Sequence, residues 1–301
     1  MKVLVTGATG LLGSALVPHL TAGGHEVFRL TRSNAVEGND ITWNPTAGEL
    51  PKARLEGMEA VIHLAGENIA ATRWSPGVKE RLRRSRVETT RFLCETLARL
   101  QRPPKTLICA SAIGYYGDRG SEILTESAAP GTGFLADMCR DWEGACDPAR
   151  RQGMRVVNLR IGVVLSPKGG GLAKMLTPFR LGLGGVIGSG RQYWSWISLD
   201  DLVGVIAHCL TDPRFSGPVN ATAPSPVTNR DFTKTLGTVL GRPTLFPMPG
   251  FVARIVLGEM ADDLLLGSAR VMPNRLSESN YRFLHPTLEG ALRHLLLSRA
   301  D

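Results

Sequence analysis

The sequence predicts an α/β fold: a doubly wound parallel sheet with a smaller, mostly helical C-terminal region. Three observations predict it. Short aliphatic runs of strand length alternate with stretches of helix length from Val3 to Leu165. The first run opens directly into Gly7, Gly10 and Gly13, spaced G-x-x-G-x-x-G. Beyond Leu165 the alternation gives way to glycine-rich and then helical sequence. The expected organisation is a main α/β unit over 1–165, to which 199–224 returns. Segments 166–198 and 225–301 would form a substrate-side and C-terminal region.

Val3-Leu4-Val5 has the pattern of a strand buried on both faces. A tight strand-to-helix turn asks for φ > 0 at Gly7, which glycine adopts at no steric cost. Gly10 lets a pyrophosphate approach the backbone, and Gly13 lets the following helix, Leu11 to Leu20, pack close to the strand. The free N–H groups and dipole of that helix then face the phosphates. Strand before, helix after and a second strand at Glu26 to Leu30 supply the context a dinucleotide site needs. The second strand ends in Thr31-Arg32-Ser33, without the acid that usually binds an NAD ribose. Arg32 suits a 2′-phosphate instead, so the expected cofactor is NADP(H).

The stretch from Asn34 to Gly57 holds Pro45, Gly48 and Pro51 and reads as largely loop. Ala60 to Leu64 is the next buried strand, ending in the small residues Ala65 and Gly66. Ser75-Pro76 starts a helix that runs to about Leu100, with Val78, Leu82, Ser85, Thr89, Leu93 and Leu97 on its inward face. Lys105 to Ala110 is a strand that opens into Ser111-Ala112-Ile113-Gly114-Tyr115-Tyr116-Gly117. Phe134 to about Gln152 is helical, and Met154 to Leu159 is one more strand. Between Gly169 and Gly190 glycines cluster in an apolar segment, expected on the substrate side. Tyr193 to Ser198 is strand-like, and Leu199 to Leu210 is a helix with Asp200 and Asp201 where acids are favoured. Val219 to Ala221 is a last strand, Asn229 to Leu240 a helix ended by Gly241, and the chain from Phe251 onward mostly helical.

The composition is that of a soluble globular chain: 301 residues, 43% hydrophobic and 21% charged. No apolar run reaches the ~18 residues of a membrane span, and a strand begins almost at the N-terminus, which speaks against a signal peptide. Five scattered cysteines, none in C-x-x-C spacing, read as reduced thiols of a cytoplasmic protein. The six histidines show no ligand spacing, so no metal is expected. The net charge of +8 concentrates in Lys79 to Arg86, a run that helical spacing assigns to a solvated face rather than to nucleic acid.

Several stretches together resemble the extended and atypical branches of the short-chain dehydrogenase/reductase superfamily, relatives of the nucleotide-sugar epimerases and dehydratases. They are VTGATGLLG (5–13), HLAGENI (63–69), SRVETT (85–90), SAIGYYGD (111–118), RIGVVLS (160–166), PFRLGLGGVIGSG (178–190), SWISLDDL (195–202) and ARVMPNRL (269–276). More narrowly, the chain is similar to an epimerase-like family described as uncharacterised. The resemblance implies a Rossmann domain with cofactor contacts at Gly7, Thr9, Gly10, Leu11, Leu12 and Gly13. It places Thr31, Arg32 and Ser33 at the adenosine end, with Arg86 facing that side and Arg81 beside it. Leu64, Ala65 and Gly66 would line the middle of the cofactor, and Val163 and Val164 the nicotinamide.

The superfamily's Tyr-x-x-x-Lys dyad would fall eight or nine residues before Glu143. Those positions hold Phe134 with Met138, or Leu135 with Cys139. The family's serine survives as Ser111, with Tyr115 and Tyr116 nearby. Tyr115 is followed four residues on by Arg119, which cannot give up its proton. Two readings stand. In the first, Ser111, Tyr115 or Tyr116 serves a substrate oxygen in an epimerase-like oxidoreductase. In the second, the chain is a catalytically silent cofactor-binding sensor or scaffold. Either way a monomer or weak homodimer is expected, acting on a small molecule, with no nucleic acid or membrane partner.

Overall fold

The computed structural model describes residues 1–32 and 38–297; Ser33 lies outside them. In chain order the strands and helices begin β1 (Lys2–Thr6), α1 (Leu11–Ala22), β2 (Glu26–Thr31), β3 (Asp40–Thr42) and β4 (Ala60–His63). Next come α2 (Pro76–Ala98), β5 (Thr106–Ala112), β6 (Ile123–Leu124), α3 (Phe134–Gly144), α4 (Asp147–Arg151) and β7 (Arg155–Ile161). The second half holds β8 (Val163–Leu165), α5 (Gly170–Arg180), β9 (Tyr193–Trp194), β10 (Trp196–Ser198), α6 (Leu199–Thr211) and β11 (Gly217–Ala221). It ends with β12 (Val227–Thr228), α7 (Asn229–Leu240), α8 (Gly250–Leu257), β13 (Arg270–Val271), α9 (Asn274–Glu278) and α10 (Leu288–Leu297).

Seven strands form one parallel sheet in the order β11-β7-β5-β4-β1-β2-β3. The chain moves outward from β1 to β3, then crosses back to β4 on the other side of β1. That reversal makes the β1/β4 junction the topological switch point, where ligands of such sheets bind. The inner strands are apolar on both faces because helices cover both. Val3 and Val5 pack with Leu16 and Leu20 of α1 and with Leu202 and Ile206 of α6. Leu4 and Val61 pack on the other face with Leu93 and Leu97 of α2 and with Ala149 of α4. A third core, around Leu172, Phe179, Trp196, Phe232 and Leu292, holds α5, α7 and α10 together beside the sheet.

Local signals explain the helix ends. Ser75 caps α2 by accepting from Val78 N, with Pro76 in the first turn. Ser198 and Thr228 cap α6 and α7 in the same way, and Gly241 closes α7 in the left-handed conformation.

Five features differ from the sequence expectations. The 34–57 stretch contributes the edge strand β3, whose Asp40 pairs with Arg29 of β2 at 2.6 Å. The helix expected over Phe134 to Gln152 breaks into α3 and α4, with Pro148 in the first turn of the second. On α2 the buried face takes in Arg86 and Thr90, while Thr89 is only half-buried. The C-terminal region is not purely helical: β13 pairs with β6 and ties it to the loop after Tyr116. Ser195 interrupts the expected strand, and its hydroxyl donates to Ala269 O and accepts from Val271 N, both at 2.8 Å.

Candidate functional site: a glycine-lined crevice at the switch point

The turn after β1 leaves no room for side chains at two of its glycines. Gly7 has φ +69°, and a Cβ there would lie 2.9 Å from the Leu64 carbonyl carbon. A Cβ on Gly13 would lie 2.2 Å from Gly7 O, so α1 reaches the strand only because that residue is glycine. At Gly10 the nearest atom to such a Cβ is Gly7 O at 3.3 Å, and the other side is open. No side chain caps α1, and no acid sits in its first turn, so its first N–H groups face that space. This cradle fits a pyrophosphate. Thr9, Leu11 and Leu12 lie on the same turn, and Leu11 packs beneath Gly169 and Gly170 at the start of α5. A Cβ on Gly170 would come 3.6 Å from Val164 O, so the turn, Val163–Val164 and α5 converge on one crevice.

A buried polar chain holds the opposite wall. The Thr6 hydroxyl oxygen accepts from the N–H groups of Leu64 and Ala65, each at 3.1 Å, and lies 2.7 Å from His63 Nδ1. With its acceptor sites filled, the hydroxyl donates to Nδ1, which leaves the ring proton on Nε2. Nε2 then donates to Thr90 Oγ1 at 3.0 Å, which also accepts from Trp142 Nε1. Burial pushes the His63 pKa down to about 4, so the ring is neutral.

Arg86, expected toward the adenosine, is buried instead. It donates to Glu67 O at 2.8 Å and to Leu82 O at 3.2 Å, with its guanidinium 5.3 Å from the Trp142 ring. It therefore braces the Gly66–Glu67 segment after β4 and is not free to meet a 2′-phosphate. Arg81 is exposed, 3.7 Å from the Glu67 carboxylate. Arg32 lies exposed at the end of β2, beside Thr31.

The three candidate catalytic residues fall into different environments. Ser111 is buried and donates to Glu143 Oε1 at 2.8 Å. Arg160 grips the same carboxylate through Nε at 2.8 Å and Nη2 at 2.9 Å. Tyr116 is fully buried: its hydroxyl donates to Asn220 Oδ1 at 2.7 Å and accepts from Arg160 Nη1 at 2.9 Å. Burial pushes its pKa up to about 12 against the pull of Arg160. Enclosed, neutral and doubly bonded, Tyr116 is a structural residue of this network, which corrects its expected catalytic part. Tyr115 is only half-buried, and its ring lies against the Arg160 guanidinium, 3.4 Å from carbon to ring centroid.

Sequence reading missed Glu143 and Arg160. A signal was available: β7 reads Arg-Val-Val-Asn-Leu-Arg-Ile, and Asn158 and Arg160 place polar groups two apart in a strand buried on both sides. Such groups need interior partners. His285 and His294, nine positions apart, stack with ring centroids 4.3 Å apart, a contact that their spacing does not announce.

At the expected dyad positions, Phe134 packs edge-on against Trp74 at 5.2 Å. Leu135 lies under Gly114, and Met138 and Cys139 are buried. Burial pushes the Cys139 thiol up to about 12.

A glycine-lined crevice at the switch point of a doubly wound parallel sheet defines a dinucleotide-binding protein of the Rossmann class. Residues 3–221 match the family described as the NAD dependent epimerase/dehydratase family, and the chain belongs to it. Residues 248–295 match a second family, described as a domain of unknown function, DUF1731. An epimerase family protein of Mycobacterium tuberculosis is 44% identical over 290 residues, covering 96% of each chain. The crystal structure of the human epimerase family protein SDR39U1 with NADPH is similar with a TM-score of 0.90 at 35% identity. That match covers 99% of this chain and 100% of the human one. A nucleoside-diphosphate sugar epimerase from Corynebacterium glutamicum is similar with a TM-score of 0.82 at 38% identity, covering 98% of this chain and 58% of that one. Among the described residues no helix is long and apolar enough to cross a membrane.

Proposed function

We propose that the chain binds NADP(H) in the Gly7–Gly13 crevice and acts as an oxidoreductase on a small molecule without a Tyr-x-x-x-Lys dyad. The observation that carries this reading is the asymmetry of the turn: Gly7 and Gly13 are pinned against backbone, while the Gly10 side is open. Thr9, Leu11, Leu12, Leu64, Ala65, Gly66, Val163 and Val164 would line the cofactor. Arg32 and Thr31, with Ser33, would hold the adenosine end and its 2′-phosphate. The human relative crystallised with NADPH supports the same preference. When bound, the nicotinamide would supply or take a hydride.

This chain's own part is to hold and aim. Arg86 and the Thr6–His63–Thr90 chain fix the wall after β4. Glu143 and Arg160 fix Ser111 and the Tyr115 ring at the end of β5. Tyr115, half-exposed and stacked on the Arg160 that shares Glu143 with Ser111, is the residue proposed to give or take the proton at a substrate oxygen. The five cysteines are free and buried, consistent with a reducing compartment, and the cytoplasm is proposed as the location. A monomer or weak homodimer is proposed as the working state.

A second reading, a silent NADP(H)-binding sensor or scaffold, is favoured by the apolar packing of Phe134, Leu135 and Met138. One experiment separates the two: purified protein, NADPH and a panel of small carbonyl compounds, followed by loss of reduced nicotinamide. Turnover that falls about 100-fold or more in Tyr115→Phe, with NADPH affinity unchanged, supports the enzyme with Tyr115 as its proton donor. Tight NADPH binding with no turnover across the panel favours the silent reading. Failure to bind NADPH would overturn both.

A further inference from the structure

Outside the crevice, one cluster of side chains among the described residues has the chemistry of a metal site. Asp200 stands in the first turn of α6, His285 in the segment before α10, and His294 on α10 itself. One ligand atom from each lies within 4.8 Å of the other two. His294 Nε2 is 3.1 Å from Asp200 Oδ2, and the two imidazoles stack at an interplanar angle of 25°. We propose that Asp200, His285 and His294 bind a divalent transition-metal ion of the Zn2+ type.

The donor set argues for that class. Two imidazoles and a carboxylate suit zinc, copper or nickel, whereas Mg2+ and Ca2+ take oxygen donors. A tetrahedral ion with bonds of about 2.0–2.1 Å holds its ligand atoms about 3.3 Å apart. The Asp200–His294 pair already has that separation, and half-exposed His285 closes the remainder by side-chain rotation. Three protein ligands leave the fourth position to water.

The backbone that carries the ligands is fixed from inside. Fully buried Asp201 accepts from Leu284 N at 2.6 Å, from His285 N at 3.0 Å and from the Ser198 hydroxyl at 2.8 Å. Leu288, Ala291 and Leu292 bury the inner face of α10. The backbone is therefore set before an ion arrives, while the ligand atoms face solvent and leave it a way in. Such an ion would clip the last described helix to the start of α6, which packs on α1. Stabilisation by an ion that binds only the folded chain grows with its concentration over Kd.

The test uses the full chain stripped with chelator and then dialysed free of it. Calorimetric titration with ZnCl2 should show one site. His294→Ala and His285→Ala should each weaken it about tenfold or more, since even changes to groups behind a metal ligand cost 10–100-fold. The exposed His19→Ala control should not. Zn2+ should raise the Tm of the wild type and of His19→Ala clearly more than that of the two cluster variants; MgCl2 should raise none of them. Circular dichroism of the variants without metal, matching the wild type, shows that a lost site is not a lost fold. Absence of Zn2+ binding, binding unaltered in both cluster variants, or an equal response to Mg2+ would overturn the proposal.

Discussion

Two regions of the molecule are built in opposite ways. On the sheet side, close packing and buried polar chains fix every wall: glycine backbone at Gly7 and Gly13, Thr6–His63–Thr90–Trp142 behind β4, and Ser111–Glu143–Arg160–Tyr116 across β5 and β7. Farther along the chain, the loop after α5, the segment between α7 and α8, and α8 itself turn apolar groups outward. Leu181, Leu183, Leu245, Phe246, Phe251, Ile255 and Val256 are all exposed there. Glycine also changes its meaning between the two. Near Gly10 it leaves space for a ligand, but a Cβ on Gly185 would lie 1.9 Å from Phe246 O, so that glycine fills space against protein. A glycine-rich stretch therefore marks a phosphate cradle only where strand and helix flank it.

The largest expected effect sharpens this contrast directly. Arg160 is 3% exposed and bonded to Glu143 and Tyr116. Arg160→Met strands the largely enclosed Glu143 carboxylate, and should lower the unfolding free energy in urea by about 3 kcal/mol. Phe251→Ser on the exposed face should change it by less than about 0.5 kcal/mol. Similar losses from both would erase the distinction.

A comparable effect follows from His63. Its pKa lies near 4 in the folded chain and 6.5 when unfolded. Above pH 6.5 both states are neutral. As pH falls from there toward 4, the unfolded chain takes up a proton that the folded chain refuses, so stability is lost. The total loss is about 3 kcal/mol, from about 1.4 kcal/mol per unit. Urea midpoints of wild type and His63→Gln across that window check it: the variant should fall less steeply. Parallel slopes would show that His63 is not held neutral.

These regions were also unequally legible in the sequence. Val3 to Gly13 encodes its structure locally, since a strand, three glycines and a helix lie within a few residues of one another. The Ser111–Glu143 and Tyr116–Asn220 bonds join residues 32 and 104 positions apart, and no local pattern announces them. Arg86, expected to face the adenosine, instead turns its guanidinium inward to Glu67 O, a partner 19 positions away that the arginine run around it does not announce. The edge strand Asp40–Thr42 went unread because three residues are too few to show alternation. The His285–His294 pair depends on how the chain before α10 is tethered to Asp201.

The measurement closest to the central claim is a titration of NADPH and NADH against wild type and Arg32→Ala. Arg32 is exposed at the end of β2, where a 2′-phosphate is expected to sit. A charge-assisted contact there is worth about 1.5–3 kcal/mol. Wild type should bind NADPH more tightly than NADH, and Arg32→Ala should weaken NADPH binding about ten- to a hundredfold. NADH, which has no such phosphate, should bind the variant nearly as well as the wild type. Equal affinities in the wild type, or an equal loss of both cofactors in Arg32→Ala, would contradict the account.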